Sequence, residues 1–282
     1  MTLRYLIYII IFLCSTGYSQ YFKYERSFGT FKNATSFYIN SAGVVFVTDD
    51  VTDEVFQLDT LGNLFNLVGG YGWQINAFDD PVDVFADALK VFVTDKNNHR
   101  IQRFDKNLNF IFQFQTRDSD IEEERFGYPL SAVESNLGDV FILDSENNRI
   151  LKFDLFGNFI MAIGGYDYGS YYLQDPIQLA ISMQNNIYVL DRKDIYIFDN
   201  YGTAIGNIKV PGVMRSIRII FQWLTINSDK KIYISNLNSK EKKLIEVMLN
   251  GYDDELEIVS SLVFKTKLYV LTPRSILIFS PK

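Results

Sequence analysis

The sequence predicts an all-β propeller of four-stranded antiparallel blades, and two observations support this fold class. Short apolar runs ending in Asp, or in a residue at the equivalent place, recur at intervals of 46, 49, 47, 45 and 36 residues. They end at Asp49, Asp95, Asp144, Asp191, Asn236 and Thr272. Periods of this length are typical of propellers and solenoids. Each unit carries four strand-like runs and no helical periodicity, which favours propeller blades.

The second unit shows the expected strands most clearly. They are predicted at 82–86, 91–94, 100–104 and 110–114, where Val, Ile and Phe are enriched between polar turns. The only helical turn is expected near 121–125. Six units predict six blades.

The two ends of the chain are expected to meet in one blade. The last unit has three strand-like runs, 258–264, 268–271 and 275–279. The run at 21–28 precedes the first unit and resembles an outer strand. We therefore predict that this N-terminal strand completes the last blade and removes an open sheet edge. The outer strand of the fifth blade is expected to be short.

A motif within the units carries a family resemblance. The pattern D-x-x-N-x-R-I-x-x-F-D occurs twice, once from Asp95 to Asp105 and once from Asp144 to Asp154, where the Asn is Asn147 or Asn148. Gly-Gly and Phe…Pro elements accompany it. Over residues 81–199 the chain resembles the NHL-repeat family of β-propellers, which implies a six-bladed fold. The resemblance is weaker in the first unit and degenerate in the last two.

Composition and the N-terminus predict an exported globular domain. The chain has 282 residues, is 48% hydrophobic and carries a net charge of −7. An acidic chain is not expected to bind nucleic acid. Residues 1–19 have the basic start, apolar run and small residues of a signal peptide, with cleavage between Ser19 and Gln20. The mature domain is then 20–282, in the periplasm, outside the cell or at the cell envelope, without a membrane span.

Two alternatives remain for the N-terminus: an uncleaved anchor, and a lipoprotein attached through Cys14. The apolar run is too short to span a membrane, and bulky residues precede Cys14. Cys14 is the only cysteine, so no disulfide or thiol nucleophile is expected in the mature chain.

Most residues that could carry chemistry have a structural interpretation. The repeated Asp residues are expected to accept hydrogen bonds from the turn that follows, and Arg100 and Arg149 to pair nearby. The resemblance implies relatives that include peptidyl-hydroxyglycine and streptogramin lyases, which use several histidines. His99 is the only histidine here. No catalytic residue is therefore predicted.

The central channel is the place to look for a metal, because gluconolactonase-like propellers hold one there with carboxylates and Asn. The polar positions expected in the channel are Asp83, Ser131 and Gln178, followed further along by Asp87, Ser135 and Ser182. A hard cation usually needs more than one carboxylate. The acidic segment 118–124 lacks the Gly of an EF-hand loop. We expect no metal and no cofactor.

Loop length distinguishes the two faces of the predicted propeller. Connections between blades are long at 69–80, 115–128 and 164–175, and they define the long-loop face. The turns within blades are short and define the short-turn face. The long loops carry seven aromatic residues beside acids: Tyr71, Trp73, Tyr128, Tyr166, Tyr168, Tyr171 and Tyr172. These side chains suit recognition of a partner, and the alternative is that they cover the seams between blades.

The sequence therefore favours an exported, non-catalytic binding module that recognises a protein, peptide or glycan through the long-loop face. The alternative is a propeller enzyme of lactonase or lyase type with a metal in the channel. A third possibility is a structural part of a cell-envelope assembly.

Overall fold

The computed structural model describes residues 20–241, 243–252 and 255–282. They form 24 β-strands and two short 3-10 helices, Glu122–Glu124 and Tyr166–Tyr171. The first helix lies where a helical turn was expected, and the second was not predicted. Within these stretches no helix is long and apolar enough to cross a membrane. The predicted signal peptide and Cys14 lie outside the described residues.

Sixteen of the strands form four sheets of four consecutive antiparallel strands each. Sheet 1 contains β2 (Ala34–Ile39), β3 (Val44–Asp49), β4 (Glu54–Asp59) and β5 (Leu64–Gly69). Sheet 2 contains β6 (Pro81–Ala86), β7 (Lys90–Asp95), β8 (Arg100–Asp105) and β9 (Phe110–Phe114). Sheet 3 contains β10 (Pro129–Glu134), β11 (Val140–Asp144), β12 (Arg149–Phe153) and β13 (Phe159–Ile163). Sheet 4 contains β14 (Pro176–Ile181), β15 (Ile187–Asp191), β16 (Asp194–Phe198) and β17 (Ala204–Lys209).

The remaining eight strands form one sheet that includes the N-terminal strand. Its members are β1 (Gln20–Phe28), β18 (Ser216–Ile220), β19 (Trp223–Asn227), β20 (Ile232–Asn236), β21 (Ile245–Asn250), β22 (Ser260–Phe264), β23 (Lys267–Leu271) and β24 (Ile276–Pro281). The strand β1 pairs antiparallel with β24, so the predicted pairing of the two chain ends is confirmed. It also pairs parallel with β21, which was not predicted. This second pairing joins two sets of four strands into one sheet.

The first strands of successive sets pack side by side around a central axis. The strand β2 contacts β6, and the contacts continue through β10, β14, β18 and β22 back to β2. Apolar side chains fill the space between neighbouring sheets: Phe114 of sheet 2 packs 5.5 Å from Phe153 of sheet 3, between ring centroids. Because each strand alternates its side chains between two faces, the same apolar pattern builds every such seam.

The fifth unit departs from the expected strand order. The run that ends at Asn236 was expected to be a second strand, but it is the third strand, β20, and β19 is the second. Asn227 therefore takes the place of the repeated Asp, and it accepts a hydrogen bond from Ser216 Oγ at 2.7 Å. Second and third strands are both buried on two faces, so their sequence patterns are alike. The outer strand β21 has six residues, although few of them pair with β20.

The repeated Asp residues act as structural ties, as predicted, but their main donors differ. Asp95 accepts from the backbone N–H of Asp79 at 2.8 Å and from Arg100 Nε at 2.7 Å. Asp191 accepts from the backbone N–H groups of Gln174 and Asp175, both at 2.8 Å. These backbone donors belong to the connection before the first strand. The expected donation from the following turn occurs at Asp49, which accepts from the backbone N–H groups of Val51 and Thr52 at 3.1 and 3.3 Å. Each carboxylate thus fixes the entry into its own sheet.

Candidate functional site

The three polar residues predicted for the channel meet in the structure. Asp83 Oδ2 accepts from Ser131 Oγ at 2.5 Å, and Asp83 Oδ1 accepts from Gln178 Nε2 at 3.0 Å. Two residues that the sequence analysis missed complete the cluster. Ser36 Oγ donates to Asp83 Oδ1 at 2.8 Å, and Arg218 Nη2 donates to the same oxygen at 2.6 Å. All five residues are buried.

Arg218 reaches from β18 to Asp83 on β6, so it crosses the space that the first strands enclose. We call the Asp83–Arg218 ion pair the plug. Its Nε donates to the carbonyl of Phe37 at 3.1 Å, and its guanidinium carbon lies 5.9 Å from the ring centre of Tyr38. The Tyr38 hydroxyl donates to the carbonyl of Ile219 in β18 at 3.3 Å. Burial raises the pKa of the Tyr38 hydroxyl, so this group stays neutral and serves as a donor.

A metal ion does not fit this cluster. Both oxygens of Asp83 already accept hydrogen bonds, and the charged group beside them is the Arg218 guanidinium. A cation would have to displace a buried ion pair and would find one carboxylate, whereas oxygen-ligated cations usually take more. Among the described residues, no three His, Cys, Asp or Glu side chains come together as a possible metal site.

A cavity of about 680 Å³ opens on the short-turn face, above this plug. Its lining comes from the ends of β2, β6, β10, β14 and β18 and from the turns that follow them. Three charged residues stand together on one side: Asp87, Lys90 and Glu134. This volume lies within the range of about 300–1,000 Å³ that small-molecule sites occupy. The cavity is therefore the candidate site, and it lies on the face opposite the predicted partner surface.

The local fold explains why these three residues meet. Asp87 opens the turn between β6 and β7, where its Oδ1 accepts from the backbone N–H groups of Leu89 and Lys90, both at 2.6 Å. Glu134 ends β10 in the next sheet. Lys90 crosses the seam and forms an ion pair with Glu134. The turn thus aims a carboxylate and an ammonium group at a second carboxylate.

Glu134 is the acid of the site whose pKa is raised above its ordinary value. Its side chain is 3% exposed. Burial raises the pKa of the Glu134 carboxyl most strongly, and the charge of Asp87 and a hydrogen bond between the two carboxyls raise it further, while Lys90 opposes the shift. Buried carboxyls with raised pKa and specific charge partners are typical of general acids and bases. This pair can hold and transfer a proton inside the cavity.

A signal for Glu134 was present in the sequence and was not used. The last residues of the first strands in the four-stranded sheets are Ile39, Ala86, Glu134 and Ile181. Only one of these four is charged. Since the other three residues are apolar, the repeat does not need a charge at this position, and Glu134 could have been singled out as a candidate functional residue. Lys90 has no such signal, because it starts a strand near the surface.

The seven aromatic residues predicted for the long-loop face divide into exposed and packed groups. Tyr71, Trp73 and Tyr166 are exposed, with 77% of Trp73 accessible. Tyr168 and Tyr171 lie with their ring centres 6.0 and 6.3 Å from that of Phe198, where they cover a seam.

The remaining two aromatic residues have ring neighbours of their own. Tyr128 packs edge-on against His99 at 4.2 Å, and Tyr172 packs against Tyr166 at 5.8 Å. The partner role of this face stays a prediction.

His99 belongs to a structural cluster on the long-loop face. Its Nδ1 accepts from the backbone N–H of Tyr128 at 3.0 Å, and Arg117 Nη1 lies 2.7 Å from the same nitrogen. Burial and the charge of Arg117 lower the pKa of the His99 imidazole. The ring is therefore neutral at physiological pH and organises two loops.

No protein-family model and no curated protein matches the chain. Solved structures do match. The chain is a β-propeller. A streptogramin B lyase is similar at a TM-score of 0.64 and 12% identity, over 91% of this chain and 97% of that one. Virginiamycin B lyase from Staphylococcus aureus is similar at 0.63 and 12%, over 90% and 98%. A gluconolactonase from Xanthomonas campestris is similar at 0.65 and 11%, over 90% and 88%.

These neighbours overturn the expected function. The sequence favoured a non-catalytic binding module, but the three similar solved structures just described are named as lyases and a gluconolactonase. The prediction of a non-catalytic scaffold was wrong on this comparison, and the alternative of a lactonase or lyase agrees better with it. At this level of identity the likeness establishes the fold. The activity has to be argued from the cavity.

Proposed function

We propose that this chain is a propeller enzyme of lactonase or lyase type that breaks a carbon–oxygen bond of an ester in the cavity on the short-turn face. The observation that supports this proposal is the buried Glu134 carboxyl, which shares the cavity with Asp87 and an ion-paired Lys90. The enzyme neighbours agree with it. No step is assigned to a metal, because the donors in the channel do not fit one.

Glu134 is the proton carrier in this proposal. In lactone hydrolysis its carboxylate takes a proton from water as the water oxygen bonds to the carbonyl carbon, and it returns the proton to the ring oxygen when the carbon–oxygen bond breaks. In elimination it takes a proton from carbon, a carbon–carbon double bond forms and the ester oxygen leaves as a carboxylate. A raised pKa makes the ionised carboxyl a stronger base.

The neighbours of Glu134 have supporting roles. The Lys90 ammonium is placed to stabilise negative charge that develops on the carbonyl oxygen, as fixed donors do in acyl transfer. Burial raises the pKa of the Glu134 carboxyl most, and Asp87 adds to this shift through its charge and its hydrogen bond. The turn hydrogen bonds that fix Asp87 also fix the start of β7, which holds Lys90.

Two finer assignments belong to the same proposal. We infer six blades, since six first strands pack in a closed ring and the eight-stranded sheet divides at β1 into two sets. We also assign the blades to the NHL type on the motif from Asp95 to Asp105. Export after cleavage before Gln20 is proposed from the sequence, and N-terminal sequencing of secreted protein tests it.

The test of the activity uses the chain 20–282 and a panel of lactones and cyclic esters. Product masses separate the reactions: hydrolysis adds the mass of one water, whereas elimination opens the ring without a change of mass. We expect Glu134→Gln to lose about 100-fold or more in kcat/KM, the usual contribution of a general acid–base. The matched control is Glu146→Gln, an exposed acid of the long-loop face. Turnover that is equal in the two variants, or no turnover in the wild type, contradicts the proposal.

A further inference from the structure

Large apolar side chains surround the mouth of the cavity. They stand at the tips of the first turns in four successive strand sets, and they are Leu89, Leu137, Met183 and Phe221. We call these four residues the apolar collar. The exposed fractions are 66%, 63%, 58% and 40%, in that order. Turn tips on a protein surface are ordinarily occupied by Gly, Asn, Asp or Ser.

The fold does not require this collar. The equivalent turn of sheet 1 uses Ser41 and Ala42 and has the same backbone hydrogen bonds as the turns that carry Leu137 and Met183. Leu89, Leu137 and Met183 leave more than half of their surface in water, so they add little to the core. Phe221 is less exposed and stacks on Phe264, with 6.2 Å between the ring centres. Contiguous exposed apolar surface around a cavity is typical of a binding site.

The cavity beneath the collar has a mixed lining. Ile39, Ile181, Ile219 and Ile220 belong to this lining together with Asp87, Lys90 and Glu134, and Ser41, Ser135 and Ser182 add hydroxyl groups. A ligand that fills the cavity and passes the collar should therefore present apolar surface to the collar and a polar group to Glu134.

We propose that the substrate is an amphipathic lactone or ester, whose polar group lies beside Glu134 and whose alkyl or aromatic body leaves the cavity across the collar. This inference rests on the proposed function, because it names the substrate class of that same site. A polyhydroxylated sugar lactone fits poorly. Its hydroxyl groups would lose water against the exposed side chains of the collar, which offer no hydrogen-bond partners.

The chemistry predicts a graded affinity. Each methylene that moves from water to an apolar surface contributes enough to raise affinity about fourfold. Affinity should rise along a homologous series of alkyl lactones until the chain passes the collar. Beyond the collar, added carbons stay in water and the gain should stop.

Binding is measured by calorimetry on Glu134→Gln, which keeps the shape of the side chain and should not turn the ligand over. The ligands are γ-lactones with alkyl chains of increasing length and glucono-δ-lactone. In this background Leu137→Ser and Met183→Ser should each weaken the longer lactones about fivefold or more. Ile75→Ser is the control, because Ile75 is 55% exposed on the other face. It should leave the affinity unchanged.

The outcomes separate this inference from the proposed function. Affinity that rises with chain length in Glu134→Gln supports the substrate class even if the wild type shows no turnover, and in that case only the catalytic proposal fails. The inference is overturned if glucono-δ-lactone binds as tightly as the long-chain γ-lactones, or more tightly. It is also overturned if no lactone binds, if the series is flat, or if the collar variants behave like Ile75→Ser.

Discussion

At the residue scale, the buried ion pair of Asp83 and Arg218 holds the centre of the molecule. The two side chains come from β6 and β18, and both are almost completely buried. Ser36, Ser131 and Gln178 provide further hydrogen bonds to the carboxylate. Burying a charged group costs much free energy unless the group is paired and hydrogen-bonded, and both conditions hold for Asp83 and Arg218.

The first prediction concerns this ion pair. Arg218→Met leaves the Asp83 carboxylate buried without its charge partner, so it should lower the free energy of unfolding by about 3–5 kcal/mol. The double variant Asp83→Asn with Arg218→Met should recover part of that loss, with a coupling energy of about 0.5–3 kcal/mol. Urea unfolding of the wild type, both single variants and the double variant measures the cycle. Strict additivity would show that the two residues act independently.

The second prediction concerns pH and Glu134. Its pKa is raised in the folded protein, so the folded state binds more protons than the unfolded state above about pH 4.5. Stability that the neutral carboxyl contributes is present below that pH and is lost as the pH rises through the raised pKa. Relative to Glu134→Gln, the wild type should therefore lose stability over this window. Urea unfolding of both proteins from pH 4 to pH 8 (about the usual working range) measures the difference between their free energies of unfolding. A difference that does not change with pH would contradict the prediction.

The third prediction compares two arginines of the repeat motif. Arg100 donates to Asp95 and to the carbonyls of Trp73, Gln74 and Ala77. Lys cannot reproduce this planar set of donors. Arg100→Lys should therefore release the loop at 69–80, which limited proteolysis detects, and lower the melting temperature. Arg149→Lys is the matched control with fewer bonds, and an equal effect of both would contradict the argument.

At the element scale, β1 is the strand on which closure depends. It lies between β24 and β21 and buries Phe22 and Phe28 in the core. Without it, β24 and β21 would each present an unpaired edge. Exposed edges of this kind invite pairing with other chains.

The fourth prediction is that removing residues 20–28 lowers stability by several kcal/mol, since a packed strand is lost. The truncated chain should also self-associate, which light scattering measures. A finer test replaces one side chain. Phe22→Ala should cost about 3–5 kcal/mol, and Tyr21→Ala, which changes an exposed neighbour, should stay within about 0.5 kcal/mol. Unchanged melting of the truncated chain would contradict the role of β1 as a closure.

At the scale of the whole molecule, the ring has two unlike faces. The short-turn face carries the cavity, the carboxyl pair and the apolar collar. The long-loop face carries the exposed Tyr71, Trp73 and Tyr166. The Asp83–Arg218 plug lies between the two faces, in the space that the first strands enclose.

The fifth prediction follows from closure of the ring. Since β1 ties both ends of the chain into one sheet and every first strand packs on two others, we expect the domain to unfold in a single transition. Tryptophan fluorescence, which reports Trp73 and Trp223, should change together with far-ultraviolet circular dichroism. Separate midpoints for the two signals would show that the sheets unfold independently.

Much of this architecture could be predicted from the sequence because it depends on local pattern. Alternating apolar residues and regular turns predict strands, and their period predicts a propeller. The orphan run before the first unit predicts the closing strand. The pattern was wrong at β19 and β20, since two neighbouring buried strands have the same periodicity and a short turn at Phe221 and Gln222 separates β18 from β19.

The sequence by itself determined the strands, the repeat and the pairing of the two ends, because each of these is written in neighbouring residues. Only the tertiary structure decided which distant side chains meet. Arg218 reaches Asp83 across 135 positions of chain, and Lys90 reaches Glu134 across 44. Both pairs exist because the ring closes and brings the first strands of different sheets to one axis. The repeat pattern was sufficient to place Asp83, Ser131 and Gln178 in the channel, whereas the pairing of Asp83 with Arg218 and of Lys90 with Glu134 depends on closure of the ring.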